Sequence, residues 1–324
     1  LARNLTASQD FRLVALCDTN PARATAYSNQ YPAARCFSSV DELLRSGPPD
    51  LLAVATPVAT HHGIAKKCLE AGCHVLVEKP LAMTVAEAED LVMTAEKLGR
   101  HLFVDHTFLF TNAVIEIKRQ LDEGALGDLL YIDSVRINLG LFQPDVDVIW
   151  DLAPHDIAIL NHTFGRIPRS VRVVGSCHNP IGFADVAYVH LDYGDSMTAH
   201  LHLSWLSPVK IRQMIFAGKK QSLIYDDLEP TEKVKIYDHG VAFDVADLEA
   251  RRNVLVNYRK GDMRAPALPT GEAIAVELRE IAAVLAGGQR SRASGGHGLS
   301  VVRTITAASQ SLAAGGAEVM ISGR

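Results

Sequence analysis

Two small groups of residues have the types and spacing to do chemistry. The first is the end of an apolar run, His74-Val75-Leu76-Val77-Glu78-Lys79-Pro80-Leu81. A lysine at a buried strand edge is disfavoured as the ammonium unless a carboxylate, a hydroxyl or a cofactor oxygen receives it. Pro80 holds Lys79 toward extended backbone and withdraws an N–H, which fixes the direction in which the lysine leaves the strand. Lys79 therefore reads either as a catalytic lysine or as a strand-end lysine paired with Glu78. The second group is Asp151 and His155, four residues apart with Pro154 between them. In a first helical turn both side chains lie on one face, where the carboxylate can orient the imidazole and the imidazole can exchange a proton near neutral pH. The plainer alternative makes Asp151 an N-cap for the apolar helix through Ile157-Ala158-Ile159-Leu160 and His155 an ordinary first-turn residue.

The elements that must position these groups follow from periodicity. Short apolar runs at 11–17, 51–55, 74–77 and 101–105 alternate with amphipathic segments at 21–30, 40–45, 60–71 and 85–98. Strands that are apolar throughout and separated by helices form a parallel sheet covered on both faces, so the first third is a doubly wound, Rossmann-type α/β fold. Asp18 closes its strand just before Asn20-Pro21, where an acidic residue holds the adenosine ribose in such folds, or serves simply as a turn residue. Thr56-Pro57 has the same two readings at the end of the next strand. No glycine-rich turn precedes these strands, so the fold reads as lacking its first strand and phosphate loop, absent either from the protein or from the sequence in hand.

Beyond a helix at 112–123 and the turn Gly124 to Gly127, the pattern changes to alternating strands at 131–139, 187–193, 198–206, 211–217, 222–225 and 233–237. This predicts an α+β domain built on a mostly antiparallel open sheet. A loop is expected over 242–270, and helices over 271–286 and 299–314. Arg136 and Asn138 share one face of their strand, either toward a substrate cleft or toward a subunit interface. His200 and His202 share a face without a third ligand at suitable spacing, which reads as a polar sheet face rather than a metal site. With 324 residues, 48% apolar, 21% charged and a net charge of −5 without runs of like charge, the chain has no nucleic-acid footprint. It has no run of about 18 apolar residues to cross a membrane and no export pattern. Five cysteines without a Cys-x-x-Cys pair suit packing roles in a reducing cytoplasm.

In order along the chain, Cys17-Asp18, Ala55-Thr56-Pro57 with His61, Glu78-Lys79-Pro80, Asp105-His106, the Gly124-Ala125-Leu126-Gly127 turn, Asp151 with His155, and the helix after Gly298 resemble the glucose-fructose oxidoreductase, inositol dehydrogenase and rhizopine-catabolism (Gfo/Idh/MocA) family. The stretch Trp150-Asp151-Leu152-Ala153-Pro154-His155-Asp156 is similar to members acting on sugars or nucleotide sugars. Val58 stands where many members carry asparagine, and Trp150 and Pro154 where many carry glycine. The resemblance implies a dinucleotide-binding domain over 1–106 and a substrate-binding and oligomerisation domain over 107–324. It implies hydride transfer between NAD, with NADP less favoured, and a ring hydroxyl or ketone. Lys79, Asp151 and His155 would be catalytic, with Lys79 arriving from the first domain. Asp18, Thr56, Pro57, His61, Glu78 and Lys79 would bind the cofactor, and His106, Arg136, Asn138 and Trp150 the substrate, without a metal. A homodimer or homotetramer is implied. The alternatives are an inositol-type cyclitol dehydrogenase and a non-catalytic sugar or nucleotide sensor.

Overall fold

A computed structural model describes residues 1–140, 146–180, 182–243, 256–259 and 261–322. The chain divides into two compact units, residues 1–111 with 271–302, and residues 112–270 with 303–324.

The first unit carries α1 (Ala2–Ala7), β1 (Ala15–Cys17), α2 (Pro21–Gln30), β2 (Arg35–Phe37), α3 (Val40–Arg45), β3 (Leu51–Val54), α4 (His61–Glu70), β4 (His74–Glu78), α5 (Val85–Lys97) and β5 (Leu102–Asp105). All its strand pairings are parallel, as the unbroken apolar runs require. They form two sheets, β1-β2 and β3-β4-β5. The run expected to be a strand from Phe11 is paired only from Ala15, because strand structure extends only as far as β2 offers partners. Local sequence sets the helix ends. Asn20 caps α2 by accepting from the N–H groups of Ala22 and Arg23, with Pro21 in the first turn, and Thr84 with Glu87 closes a capping box on α5. The core of β3, β4 and β5 against α4 and α5 includes Val75, Val77, Leu69 and Leu91, all fully buried.

The second unit holds α6 (Asn112–Asp122), β6 (Leu129–Leu139), α7 (Val148–Phe164), β7 (Ser170–Ser176), β8 (Val186–Gly194), β9 (Met197–Ser204), β10 (Leu206–Gly218), β11 (Ser222–Asp226), β12 (Val234–Tyr237), β13 (Gly240–Phe243), β14 (Val256–Arg259) and β15 (Met263–Arg264). After α8 (Ala273–Leu285) in the first unit comes α9 (Gly295–Ala313), and β16 (Val319–Met320) ends the second. The main sheet runs β15-β12-β11-β10-β6-β9-β8-β7-β16 and is antiparallel except at β6-β9. Alternation along β6 turns Ile132, Ser134 and Arg136 inward and leaves Tyr131 exposed.

Two sequence expectations need adjustment. A single boundary after residue 106 gives residues 271–302 to the second domain, whereas Ile281 and Val284 of α8 pack on Leu76 and Phe103, and Leu299 and Val302 on the β3-β4-β5 core. The loop expected over 242–270 contains β14 and β15, while 244–255 and 260 lie outside the described residues. Among the described residues no helix is long and apolar enough to cross a membrane.

Candidate active site

In the first unit, the predicted cofactor residues stand at the carboxyl ends of parallel strands, the edge at which open α/β sheets bind ligands. Asp18 follows β1; its Oδ1 accepts from the Asn20 N–H at 2.8 Å, and its Oδ2 lies 3.9 Å from the Arg23 guanidinium. Thr56 and Pro57 follow β3 and are exposed, with the hydroxyls of Thr56 and Thr60 2.7 Å apart. Glu78 ends β4 and Lys79 follows it, both half-buried, through a cis peptide bond to Pro80. The buried ring of His61 ties these loops together, its Nδ1 2.9 Å from Pro80 O and its Nε2 2.8 Å from Thr56 O. His61 thus fixes the turn that carries Lys79.

Next to β4, Glu78 is the register partner of Asp105 at the end of β5. Burial first, then the Asp105 charge, push the Glu78 carboxyl up to about 7, with Lys79 acting in the opposite direction. His106 is buried and meets the ring of His297 edge-on, centroids 5.4 Å apart. Burial, followed by His297 and Lys79, drives its pKa well below the ordinary value, so the ring is neutral.

In the second unit the pair Asp151 and His155 lies on α7, most of which is buried. Asp151, Leu152 and His155 form a half-buried stripe one helical turn long. The true N-cap is Asp147, whose Oδ1 accepts from the N–H groups of Ile149 (3.0 Å) and Trp150 (2.9 Å). Burial raises the Asp147 pKa against these two bonds. The capping alternative for Asp151 is therefore excluded, and Pro154 lies inside the helix rather than in its first turn. Gly165, left-handed at φ 62°, ends the helix.

Asp151 is oriented from the sheet. The indole Nε1–H of Trp205, a 1%-exposed residue between β9 and β10, donates to Asp151 Oδ2 at 3.0 Å. Trp205 is itself held by main-chain bonds, its N–H to Asp185 O and its carbonyl from Gly140 N–H, each 2.9 Å. A Cβ on Gly140 would lie 2.7 Å from the indole, so only glycine fits there. Trp150 is fixed by its own Nε1–H to Ser309 Oγ at 2.8 Å.

Family models match both parts of the chain. Residues 1–106 match the Oxidoreductase family, NAD-binding Rossmann fold, and residues 114–224 match the GFO/IDH/MocA C-terminal domain. The chain belongs to the Gfo/Idh/MocA oxidoreductase family. Among the relatives of this Gfo/Idh/MocA protein, a scyllo-inositol 2-dehydrogenase (NADP(+)) of Bacillus subtilis is 26% identical over 308 residues, 89% of this chain and 84% of that protein. A UDP-N-acetylglucosamine 3-dehydrogenase of Acidithiobacillus ferrooxidans is 29% identical over 257 residues, 78% of each. A solved structure of the enzyme with that name from the same organism covers 97% of this chain and 93% of its own at TM-score 0.80 and 25% identity.

For this Gfo/Idh/MocA chain, Arg136 stands apart from the other predicted substrate residues. Its guanidinium is 4% exposed as a residue and is committed to Asp156 of α7, Nε and Nη2 lying 2.8 and 2.6 Å from Oδ1, while the Ser134 hydroxyl donates to Oδ2 at 3.0 Å. It faces inward, buried within its own chain. Asn138 shares that face and is half-buried. Sequence reasoning missed Trp205, Asp147 and Asp156. Asp147 carried a readable signal, an aspartate one residue ahead of an apolar run; Trp205 and Asp156 act through contacts that no local pattern encodes.

Proposed function

We propose that this oxidoreductase is an NAD-dependent dehydrogenase of a sugar or nucleotide sugar, acting on a ring hydroxyl or the corresponding ketone, with Lys79, Asp151 and His155 as its reaction centre. The observation that carries the reading is Asp151 and His155, one turn apart on the half-buried stripe of α7, with Asp151 held by the Trp205 indole. The donors and acceptors at the strand ends suit a dinucleotide: Asp18 for ribose hydroxyls, Thr56 and Pro57 beside the nicotinamide half, and Lys79 for an oxygen at the reacting end. Glu78 and His61 contribute by holding the turn that presents Lys79. When bound, the nicotinamide supplies the hydride acceptor or donor.

The chain's own residues handle the proton. As a hydroxyl is oxidised its proton passes to His155, whose imidazolium the Asp151 carboxylate stabilises, and Lys79 stabilises the developing alkoxide by hydrogen bonding. Reduction of a ketone runs the same proton back. His106, Asn138 and Trp150 complete the substrate contacts, and Arg136 contributes through Asp156 by bracing α7. The Asp18 carboxylate disfavours the extra phosphate of NADP by charge repulsion, so NAD is the preferred cofactor.

The two relatives aligned above, an inositol and a UDP-N-acetylglucosamine dehydrogenase, support a polyhydroxylated ring as substrate. Exposed Tyr131, Val174 and Tyr188 on the main sheet support self-association through that face, as a homodimer or homotetramer, to be read by light scattering. Unpaired cysteines support a cytoplasmic setting. The deciding experiment is turnover with NAD and NADP against UDP-sugars, free sugars and inositols, with Lys79→Ala as control. We expect NAD-linked turnover of one sugar class and a loss of about a hundredfold or more in the variant. Full activity in the variant sinks the proposed centre, and absence of turnover on every substrate together with tight sugar binding favours a sensor.

A further inference from the structure

The mechanism leaves two carboxyl groups of the first unit without a use, Asp105 and Glu277, and both interact with Glu78, the residue before Lys79. Glu78 and Asp105 are register partners at the ends of β4 and β5, and Glu277 comes from the second turn of α8. Asp105 raises the pKa of both glutamates, by its charge and by hydrogen bonding. Asp105 is 4% exposed and Glu277 0%. Ionised carboxyls packed this way repel one another in a medium that screens poorly, and each also gives up its hydration.

The donors around the cluster decide where relief comes from. The Thr107 hydroxyl donates to Asp105 Oδ1 at 2.5 Å. Neither carboxyl oxygen of Glu277 meets a protein donor among the described residues. Arg279 on the same helix donates to the Ala275 carbonyl at 3.2 Å, and Arg292 is taken by Glu280, its Nε 2.7 Å from Oε2. His106, the residue after Asp105, is 2% exposed with both ring nitrogens lacking a hydrogen-bond partner, and its neutral ring supplies no compensating charge. Lys79 acts on Glu78 and on His106, and His297 meets the His106 ring edge-on. A hydrogen bond between Glu277 and Asp105, both carboxyl groups, forms only if one of them carries a proton.

We propose that Glu277 holds a proton in the working protein and donates it to Asp105, making Glu277 a positioning residue that leaves Glu78 as the member of the trio whose charge responds to solution beside Lys79. Burial, then Asp105, push the Glu277 carboxyl up to about 10, in agreement with this geometry. The proton on Glu277 stands independently of the function proposed above; its relevance to Lys79 rests on that reading.

The test uses the full chain, wild type against Glu277→Gln, which preserves shape and supplies a permanent donor to Asp105, and against Asp105→Asn. Without cofactor at pH 8, the infrared spectrum of the wild type shows a protonated-carboxyl band that E277Q lacks. A raised acid pKa contributes stability that is complete below the ordinary value and is lost as pH rises toward the folded one. The wild-type Tm therefore falls more steeply between pH 6 and 9 than that of E277Q. An unchanged band, or superimposable Tm profiles, overturns the proton assignment. In D105N, loss of the Asp105 charge moves the limb of the pH-rate profile belonging to Glu78 to lower pH, by on the order of one unit. An unmoved limb with the first two results intact overturns the positioning role alone, whereas full activity in Lys79→Ala removes the function reading and leaves the proton in place.

Discussion

Asp151 takes its orientation from the Trp205 indole and, in the mechanism proposed above, gives its charge to His155, and substitution separates the two. Asp151→Asn keeps an oxygen for the Trp205 indole but removes the charge that, in the proposed mechanism, stabilises the His155 imidazolium. We expect stability within about 1 kcal/mol of wild type and turnover reduced by about 10²-fold or more. Trp205→Phe does the converse, since the carboxylate stays charged while the 3.0 Å bond that aims it is lost. Its turnover should fall by about tenfold, with most of the loss in kcat rather than KM, as steady-state kinetics on purified folded variants would show. Equal activity of both variants with wild type would leave Asp151 a structural residue. Asp18 gives a parallel test on the cofactor side: Asp18→Ser should narrow the preference for NADH over NADPH in a fluorescence titration.

At the scale of elements, α7 carries Asp151 and His155 of the proposed centre, and it is fastened to β6 by a buried ion pair. The side chains of Arg136 and Asp156 are 5% and 1% exposed. Removing one partner strands the other, so Asp156→Leu should destabilise the second unit by about 3–5 kcal/mol, while the double variant Arg136→Met/Asp156→Leu should recover much of that in urea denaturation. Recovery of stability without recovery of turnover would show that the pair sets the placement of α7. These elements were legible in the sequence to an uneven degree. Runs such as Leu51–Val54 and the Val75-Leu76-Val77 centre of β4 announce a buried parallel sheet because every residue is apolar, and alternation announces β6 and β8 to β12. β7 lies outside the expected strands although most of its residues alternate between buried and exposed. The Asp-His pair was readable from its spacing. Its surroundings were not, because the Trp205 indole and the Asp156 clamp come from residues distant along the chain, where periodicity carries no information. Cys177 also departs from the packing role expected of the cysteines: it is exposed, whereas Cys68 is buried and its thiol is pushed up to about 12 by that burial.

For the whole molecule, opposing shifts predict a stability maximum bounded on both sides. Asp185 is fully buried. Burial raises its pKa, but the hydrogen bonds from the His178 ring, the Asn179 amide and the His178 N–H outweigh that and lower it. Asp90 is lowered as well, chiefly by Lys66 and then by His62. Lowered carboxyls contribute stability above their ordinary pKa and lose it as pH falls. Glu78 and Glu277 are raised, so their contribution is lost as pH rises from about 4.5 toward about 7 and about 10. Thermal melts from pH 3 to pH 10 should show Tm falling at both ends, and a plateau extending to pH 10 would contradict the raised pair.

The division of the chain into units also has a consequence in time. The first unit is interrupted in sequence by most of the second, and its Leu76 and Phe103 are covered by Ile281 and Val284 of α8. A ribosome adding roughly 5–20 residues per second needs on the order of ten seconds or more to travel from Thr111 to Gly271. Throughout that interval the nascent first unit presents an open apolar surface, while the intervening segment already has nearly all of its own strands. The later part of the chain can therefore form all of its main sheet except the edge strand β16 before the earlier part completes its core, and a chain released at Thr270 should be captured by chaperones on the face that α8 would have closed.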